Sequence, residues 1–134
     1  MAAENILIVD DDKNMLEVLS LRLEAEGYKS AVSTGVNDAL KKVGDELFDL
    51  ALVDLKLAGK DGIELMQDLR RITPEMPVII LTAYGTIETA VEAMKQGAYS
   101  YLTKPFNRRE LLLQIKNGLE KSSLSREVRR LRPW

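Results

Sequence analysis

Three consecutive aspartates, Asp10, Asp11 and Asp12, follow the first apolar run of the chain at residues 6–9. Carboxylates held a few ångströms apart repel one another, and proteins usually relieve that repulsion with a raised pKa or a bound cation. Asp12 is expected to cap the following helix, because residues 14–19 have a helical pattern. Asp10 and Asp11 remain, and they lie where open α/β sheets bind ligands, just outside the carboxyl end of a strand.

Three further polar residues, Asp54, Thr82 and Lys104, come after later apolar runs. If those runs are parallel strands of one sheet, a single edge carries three carboxylates, a hydroxyl and an ammonium group. Each residue alone has an ordinary explanation as a cap, a strand end or an exposed cation, but their convergence favours a site. The set suits phosphoryl transfer to a carboxylate. An aspartate can form an acyl phosphate, magnesium binds carboxylate oxygens, and a cation and a hydroxyl stabilise the phosphoryl oxygens.

The composition excludes several other chemistries. The 134 residues include no cysteine and no histidine, which removes disulfides, thiolate chemistry and the commonest general base and transition-metal ligand. The net charge of −2 gives no reason to expect direct nucleic-acid binding. No apolar stretch approaches the ~20 residues needed to cross a bilayer, and the first residues do not resemble a signal peptide. We therefore expect a cytoplasmic protein without membrane contact.

Five apolar runs alternate with five amphipathic segments along the chain. Strands are expected at 5–9, 28–33, 50–53, 78–81 and 98–102, and helices at about 14–26, 35–46, 62–73, 86–96 and from 107 onward. This alternation predicts a parallel sheet with helices on both faces, because right-handed crossovers leave few other arrangements. It leaves the order of the strands open.

The apolar stripes of the third and fourth helices are expected to face the core. They comprise Ile63, Met66, Leu69 and Ile72 in the third helix and Ile87, Ala90, Val91 and Met94 in the fourth.

The last segment, residues 119–134, is basic and contains several serines. It keeps an apolar spacing at Leu124, Val128 and Leu131. It is either a helix that pairs with another helix or a frayed linker.

The chain resembles the receiver domain of bacterial two-component response regulators over about residues 4–120. Four segments carry the resemblance: Ile-Leu-Ile-Val-Asp-Asp-Asp at 6–12, Leu-Val-Asp-Leu-Lys-Leu-Ala-Gly-Lys-Asp-Gly at 52–62, Val-Ile-Ile-Leu-Thr-Ala at 78–83 and Tyr-Leu-Thr-Lys-Pro-Phe at 101–106. The resemblance implies a single-domain α/β fold of flavodoxin-like (βα)5 type, with a doubly wound parallel five-stranded sheet in the order 2-1-3-4-5. Residues 84–94 and 97–99 are most similar to receivers of nitrogen-regulation-type transcription activators, which also carry an AAA+ ATPase and a DNA-binding domain.

The resemblance implies a chemical role for each residue at the strand ends. Asp54 is the phosphorylated residue, Thr82 hydrogen-bonds the incoming phosphoryl group, and Lys104 pairs with that group or with Asp54. The expected ligands of Mg²⁺, or of Mn²⁺, are Asp10 (directly or through water), Asp11, Asp54 and the backbone carbonyl of Lys56.

The resemblance also implies residues that control switching and phosphoryl lifetime. Thr82 and Tyr101 are the expected switch residues, and Lys56 and Tyr84 are expected to shield the phosphoryl group from water. The peptide bond at 104–105 is expected to be cis. The loop after the acceptor departs from the family, with Leu57-Ala58 and Lys60 where Met-Pro and a second methionine are common.

The implied function is that of a phosphoacceptor rather than an enzyme with a separate substrate. A cognate sensor histidine kinase supplies the phosphoryl group, and the domain catalyses its own phosphorylation and dephosphorylation. The switching surface is helix four, strand five and helix five, about residues 83–118. Residues 1–119 form the receiver, and 120–134 form a helical extension or the start of a linker to an output domain missing from this chain, with a homodimer as a further expected assembly.

Other functions fit the same fold class. A stand-alone receiver that acts by protein–protein interaction is the main alternative. A flavodoxin-type electron carrier needs a phosphate loop after the first strand, where this chain is acidic. A haloacid-dehalogenase-like phosphatase needs an Asp-x-Asp signature at that point, which 10–14 match poorly. A degenerate, non-catalytic receiver is disfavoured because the full set of polar residues is present.

Overall fold

The computed structural model describes residues 3–57, 60–83 and 86–131, with side chains described as far as Ser122. The strands are β1 (Asn5–Val9), β2 (Lys29–Ser33), β3 (Leu50–Asp54), β4 (Lys56–Leu57), β5 (Lys60–Asp61), β6 (Val78–Thr82) and β7 (Ser100–Thr103). The helices are α1 (Lys13–Ala25), α2 (Val36–Asp45), α3 (Gly62–Ile72), α4 (Ile87–Lys95) and α5 (Arg108–Leu131). Each predicted strand and helix is present, with ends shifted by two residues at most where both ends were predicted.

Five of the strands form one parallel sheet in the order β2-β1-β3-β6-β7. This is the expected order 2-1-3-4-5 of the five main strands, so the flavodoxin-like fold is confirmed. β4 and β5 lie outside it as a two-residue antiparallel ribbon directly after β3. The sequence pattern did not predict this ribbon.

The sheet separates two apolar layers, because alternate residues of a strand point to opposite faces. Leu7, Val53 and Ile80 face the layer formed with α2, α3 and α4. Ile8 and Leu52 face the layer formed with α1 and α5. All of these side chains are essentially inaccessible to solvent, and burying each one fully stabilises the fold by about 1.5–3 kcal/mol. The central strands can therefore carry polar residues only where they end.

Short polar side chains begin several of the helices. The Asp12 carboxylate accepts hydrogen bonds from the backbone N–H groups of Asn14 at 2.9 Å and Met15 at 3.4 Å, which confirms the expected cap of α1. The Asn107 side chain accepts from the N–H of Glu110 at 2.7 Å at the start of α5. These caps satisfy N–H groups that have no partner inside the helix.

The expected inward faces of α3 and α4 were partly wrong. Ile72 is 48% exposed and Ile87 is 84% exposed, while Val91 and Met94 are each nearly half exposed. The residues that pack inward instead include Leu65 of α3 and Ala93 of α4. Helical periodicity identifies an apolar stripe, but it does not show whether another part of the chain covers that stripe.

No helix in the described part of the chain has the length and apolar character required to span a membrane.

Gly62 and Gly44 offer a matched test of how closely α3 approaches the end of β3. A Cβ atom at Gly62 would collide with the backbone carbonyl oxygen of Asp54 and the Cα of Leu55, whereas one at Gly44 in α2 meets nothing within 4 Å. We expect Gly62→Ala to lower the free energy of unfolding by about 1–3 kcal/mol through this backbone collision. Gly44→Ala should raise it by about 0.5–1 kcal/mol because alanine favours the helix.

Urea unfolding followed by circular dichroism measures both effects. Equal changes in the free energy of unfolding for the two variants would show that α3 does not pack tightly against the backbone of Asp54.

Candidate functional site

The three predicted carboxylates converge at the carboxyl edge of the sheet. Asp10 follows β1 and is fully buried, Asp54 ends β3 with a side chain that is 13% exposed, and Asp11 is exposed. One carboxylate oxygen from each lies within 4.8 Å of the other two. β1 and β3 are adjacent in the sheet, with Val9 paired to Val53. Neighbouring parallel strands thus place these groups together, as the sequence predicted.

Lys104 lies between the two buried carboxylates. Its Nζ is 2.8 Å from Oδ2 of Asp10 and 3.6 Å from Oδ2 of Asp54. The expected pairing with Asp54 is therefore present, but Asp10 is the nearer partner. The Lys104 backbone N–H donates to the carbonyl oxygen of Thr82 at 2.7 Å, which ties the segment after β7 to the end of β6. The expected cis peptide bond between Lys104 and Pro105 is confirmed.

Both carboxylate oxygens of Asp10 have hydrogen-bond donors. Oδ2 accepts from Lys104, and Oδ1 accepts from the backbone N–H of Asp12 at 2.9 Å. Asp12 in turn caps α1, so the start of that helix fixes the orientation of Asp10. Asp10 is therefore held by a hydrogen-bond donor on each of its oxygens.

Asp54 is electrostatically strained in the folded protein. Burial, followed by the negative charge of Asp10, raises the pKa of Asp54 to about 6, and Lys104 and the backbone N–H of Lys56 offset only part of this effect. Burial alone would lower the pKa of Lys104, but hydrogen bonding and attraction from Asp10 and then Asp54 raise it. The cluster therefore retains uncompensated negative charge that a cation would stabilise.

The donor set fits a hard divalent cation. Carboxylate oxygens are the ligands that magnesium and manganese prefer, and the cluster offers an oxygen from each of three aspartates within one ion's reach. Asp11 is exposed, so the cluster is open to solvent on its side. The role of the Lys56 carbonyl as a further ligand stays a prediction.

The other predicted residues that the structure describes, Thr82, Tyr101 and Lys56, differ in burial. Thr82 is 3% exposed and ends β6, one residue beyond Leu81, which pairs with Asp54 across the two strands. Tyr101 is 37% exposed on β7 and lines a groove of about 550 Å³ against α4. Lys56 is exposed beside Asp54. Tyr84 lies outside the described residues.

The sequence did not predict an ion pair made by the ribbon that follows β3. Lys60 of β5 forms an ion pair with Asp68 of α3, with 2.7 Å between Nζ and Oδ2. The sequence signal was the unusual lysine at position 60, but nothing in the sequence identified its partner.

The chain belongs to the response regulator receiver domain family, whose model matches residues 6–116. Among its curated relatives, the transcriptional regulatory protein ZraR of Klebsiella oxytoca is 40% identical over 121 residues, which cover 90% of this chain and 27% of ZraR. The nitrogen assimilation regulatory protein NtrX of Azorhizobium caulinodans is 39% identical over 132 residues, or 97% of this chain and 29% of NtrX. The chain thus spans less than a third of the length of these relatives.

Solved structures agree with this assignment. NtrX from Brucella abortus, in complex with ADP, superposes with a TM-score of 0.91 at 35% identity, covering 98% of this chain and 30% of that one. A response regulator from Burkholderia pseudomallei with a phosphorylated aspartic acid, a calcium ion and citrate superposes with a TM-score of 0.80 at 32% identity, covering 94% of this chain and 74% of that one. The resemblance to receivers of nitrogen-regulation-type regulators is confirmed.

The strain at Asp54 predicts an unusual dependence of stability on pH in metal-free buffer. Since the folded-state pKa of about 6 lies above the ordinary 3.8, the native state holds the proton more tightly than the unfolded state. The contribution of Asp54 to the free energy of unfolding therefore falls as pH rises from about 4 to about 6. We expect Asp54→Asn to be more stable than the wild type by about 2 kcal/mol at pH 7.5, and by less at pH 5.

Urea titrations at the two pH values measure this difference. Asp38→Asn is the control, because a hydrogen bond from Lys42 lowers the pKa of Asp38 and its loss should bring no gain at pH 7.5. Equal free energies of unfolding for the wild type and Asp54→Asn at pH 7.5 would contradict the claim that the Asp54 carboxylate destabilises the fold.

Proposed function

We propose that this domain accepts a phosphoryl group on Asp54 from a sensor histidine kinase, in a reaction that requires Mg²⁺. The observation that carries the proposal is the placement of Asp54 beside Asp10, Asp11 and Lys104 at one edge of the sheet. The solved relative with a phosphorylated aspartic acid supports the same chemistry. The domain catalyses its own phosphorylation, since it supplies both the acceptor and the groups around it.

The transfer replaces one bond to phosphorus by another. An oxygen of Asp54 forms the new bond while the bond from phosphorus to the phosphohistidine nitrogen breaks, and the imidazole leaves with the bonding electrons. Lys104, 3.6 Å from Asp54, is placed to stabilise the added negative charge, and the Thr82 hydroxyl is the proposed hydrogen-bond donor. Asp10, Asp11, Asp54 and the backbone carbonyl of Lys56 would hold Mg²⁺, which would supply positive charge to balance the phosphoryl oxygens.

The proposed output acts through the surface formed by α4, β7 and α5. Its exposed apolar side chains include Ile87, Val91, Met94 and Tyr101. Phosphorylation would stabilise one of two arrangements of this surface, with Thr82 and Tyr101 as the switch residues. Because the chain covers only 27–29% of ZraR and NtrX, we infer that the surface controls an ATPase and DNA-binding output in a longer cytoplasmic protein.

Intact mass spectrometry after incubation with Mg²⁺ and acetyl phosphate tests the chemistry. We expect one added phosphoryl group on the wild type and none on Asp54→Asn. The adduct should require Mg²⁺ and should be released by base, as an acyl phosphate is. Lys104→Ala should lower the initial rate by about tenfold or more, since it removes the cation beside the acceptor.

An adduct of equal yield on Asp54→Asn would place the modification elsewhere. No adduct on the wild type, with the fold intact by circular dichroism, would refute phosphotransfer and leave a receiver fold used for binding alone.

A second prediction concerns the lifetime of the phosphorylated form. If Lys56 and Tyr84 shield the phosphoryl group from water, replacing both by alanine should shorten its half-life by about threefold or more. Decay of the adduct after removal of the phosphodonor measures this. Lys29→Ala is the control, since Lys29 is an exposed lysine on the edge strand β2. A half-life that is unchanged or longer in the double variant would exclude shielding.

A further inference from the structure

The ion pair between Lys60 and Asp68 is a second side-chain contact between β5 and α3, beside the cap in which the Asp61 carboxylate accepts from the N–H of Ile63 at 2.8 Å. Lys60 lies in β5, and Asp68 lies two turns into α3. Both side chains are 27% exposed, so the pair lies near the surface and is partly shielded from solvent. Asp68 is also held by Arg71, whose Nη1 lies 2.6 Å from the second carboxylate oxygen. One cation thus lies on each oxygen of the Asp68 carboxylate, and Lys60 is the less exposed of the two.

Through the ribbon, this contact reaches the acceptor. β5 pairs with β4 in the register Leu57 to Lys60 and Lys56 to Asp61. The backbone N–H of Lys56 hydrogen-bonds the Asp54 carboxylate. The Gly62 N–H closes the ribbon by donating to the carbonyl oxygen of Leu55 at 2.7 Å. A displacement of Lys60 would therefore move the peptide that contacts Asp54.

We propose that Lys60 and Asp68 are positioning residues that hold the β4–β5 ribbon, and with it the Lys56 backbone, in register with the Asp54 carboxylate and the metal site. The effect on the metal site rests on the proposed function, whereas the effect on the ribbon does not. Neither side chain touches the reacting atoms. Both act by fixing the loop that follows the acceptor, so their loss should weaken the site without abolishing it.

The size of the effect follows from the strength of such pairs. Ion pairs near the surface contribute modestly, and two hydrogen-bonded strands of two residues each are marginal without additional contacts. We therefore expect Lys60→Met and Asp68→Asn each to speed hydrogen exchange at the amides of Lys56 and Gly62 by about threefold to tenfold. The amide of Leu52 in β3 should not change.

The same variants should bind Mg²⁺ about threefold to fivefold more weakly. Titration of Mg²⁺ monitored by amide chemical shifts measures this. The phosphorylation rate at saturating Mg²⁺ should stay within about twofold of the wild type, because the reacting groups are intact. Lys60→Arg should restore exchange and Mg²⁺ affinity. Lys42→Met, which breaks the ion pair with Asp38 in α2, is the matched control and should leave both unchanged.

Two results would overturn the proposal. Exchange at Lys56 and Gly62 within twofold of the wild type in both variants would show that the pair does not hold the ribbon. Faster exchange with unchanged Mg²⁺ affinity would show that the ribbon does not position the site. These outcomes are separate from failure of the proposed function, which the absence of an adduct on the wild-type protein would reveal.

Discussion

The site depends on the electrostatic interaction of the Lys104 ammonium group with the carboxylates of Asp10 and Asp54. The carboxyl ends of β1 and β3 are adjacent, so a fold that places aspartates there must compensate their mutual repulsion. Lys104 does so from the position just after β7. The hydrogen bond from its backbone N–H to the carbonyl oxygen of Thr82 connects it to the end of β6. Four strand ends thus contribute to one charge balance, and the order of the parallel sheet is what brings them together.

Lys104 compensates the two carboxylates unequally, and this difference supports the separate roles proposed for Asp10 and Asp54. Asp10 is fully buried, with a donor on each oxygen, and lies closer to Lys104. Asp54 is the more exposed of the two and is 3.6 Å from Lys104, and the neighbouring charge of Asp10 contributes to its raised pKa. A carboxylate that is incompletely stabilised and reachable from solvent is the better acceptor for an electrophile. The negative charge of Asp10 then favours a bound cation beside Asp54.

The polar residues at the strand ends were predictable, because each one directly follows an apolar run that forms a strand. Asp10, Asp54 and Lys104 follow apolar runs, and the carboxyl ends of parallel strands must share an edge. The preference of Lys104 for Asp10 was not predictable, because it depends on sub-ångström differences between side chains distant in sequence. Met94 was misjudged because periodicity does not reveal what covers a stripe. The ion pair between Lys60 and Asp68 joins the ribbon to α3, and no periodic pattern in the sequence predicts such a contact.

The packing of α4 supports the switching role proposed for this helix. Its buried residues are the small side chains Ala90 and Ala93, while Ile87, the first residue of the helix, is 84% exposed. A methyl group buries far less apolar area than a leucine or isoleucine, so the free energy holding α4 against the sheet is small. The C-terminal end has an additional anchor, since Arg70 of α3 donates to the Gly97 carbonyl at 2.9 Å. The N-terminal end, which begins five residues after Thr82, is therefore the part that a change at the proposed phosphoryl site can displace at least cost.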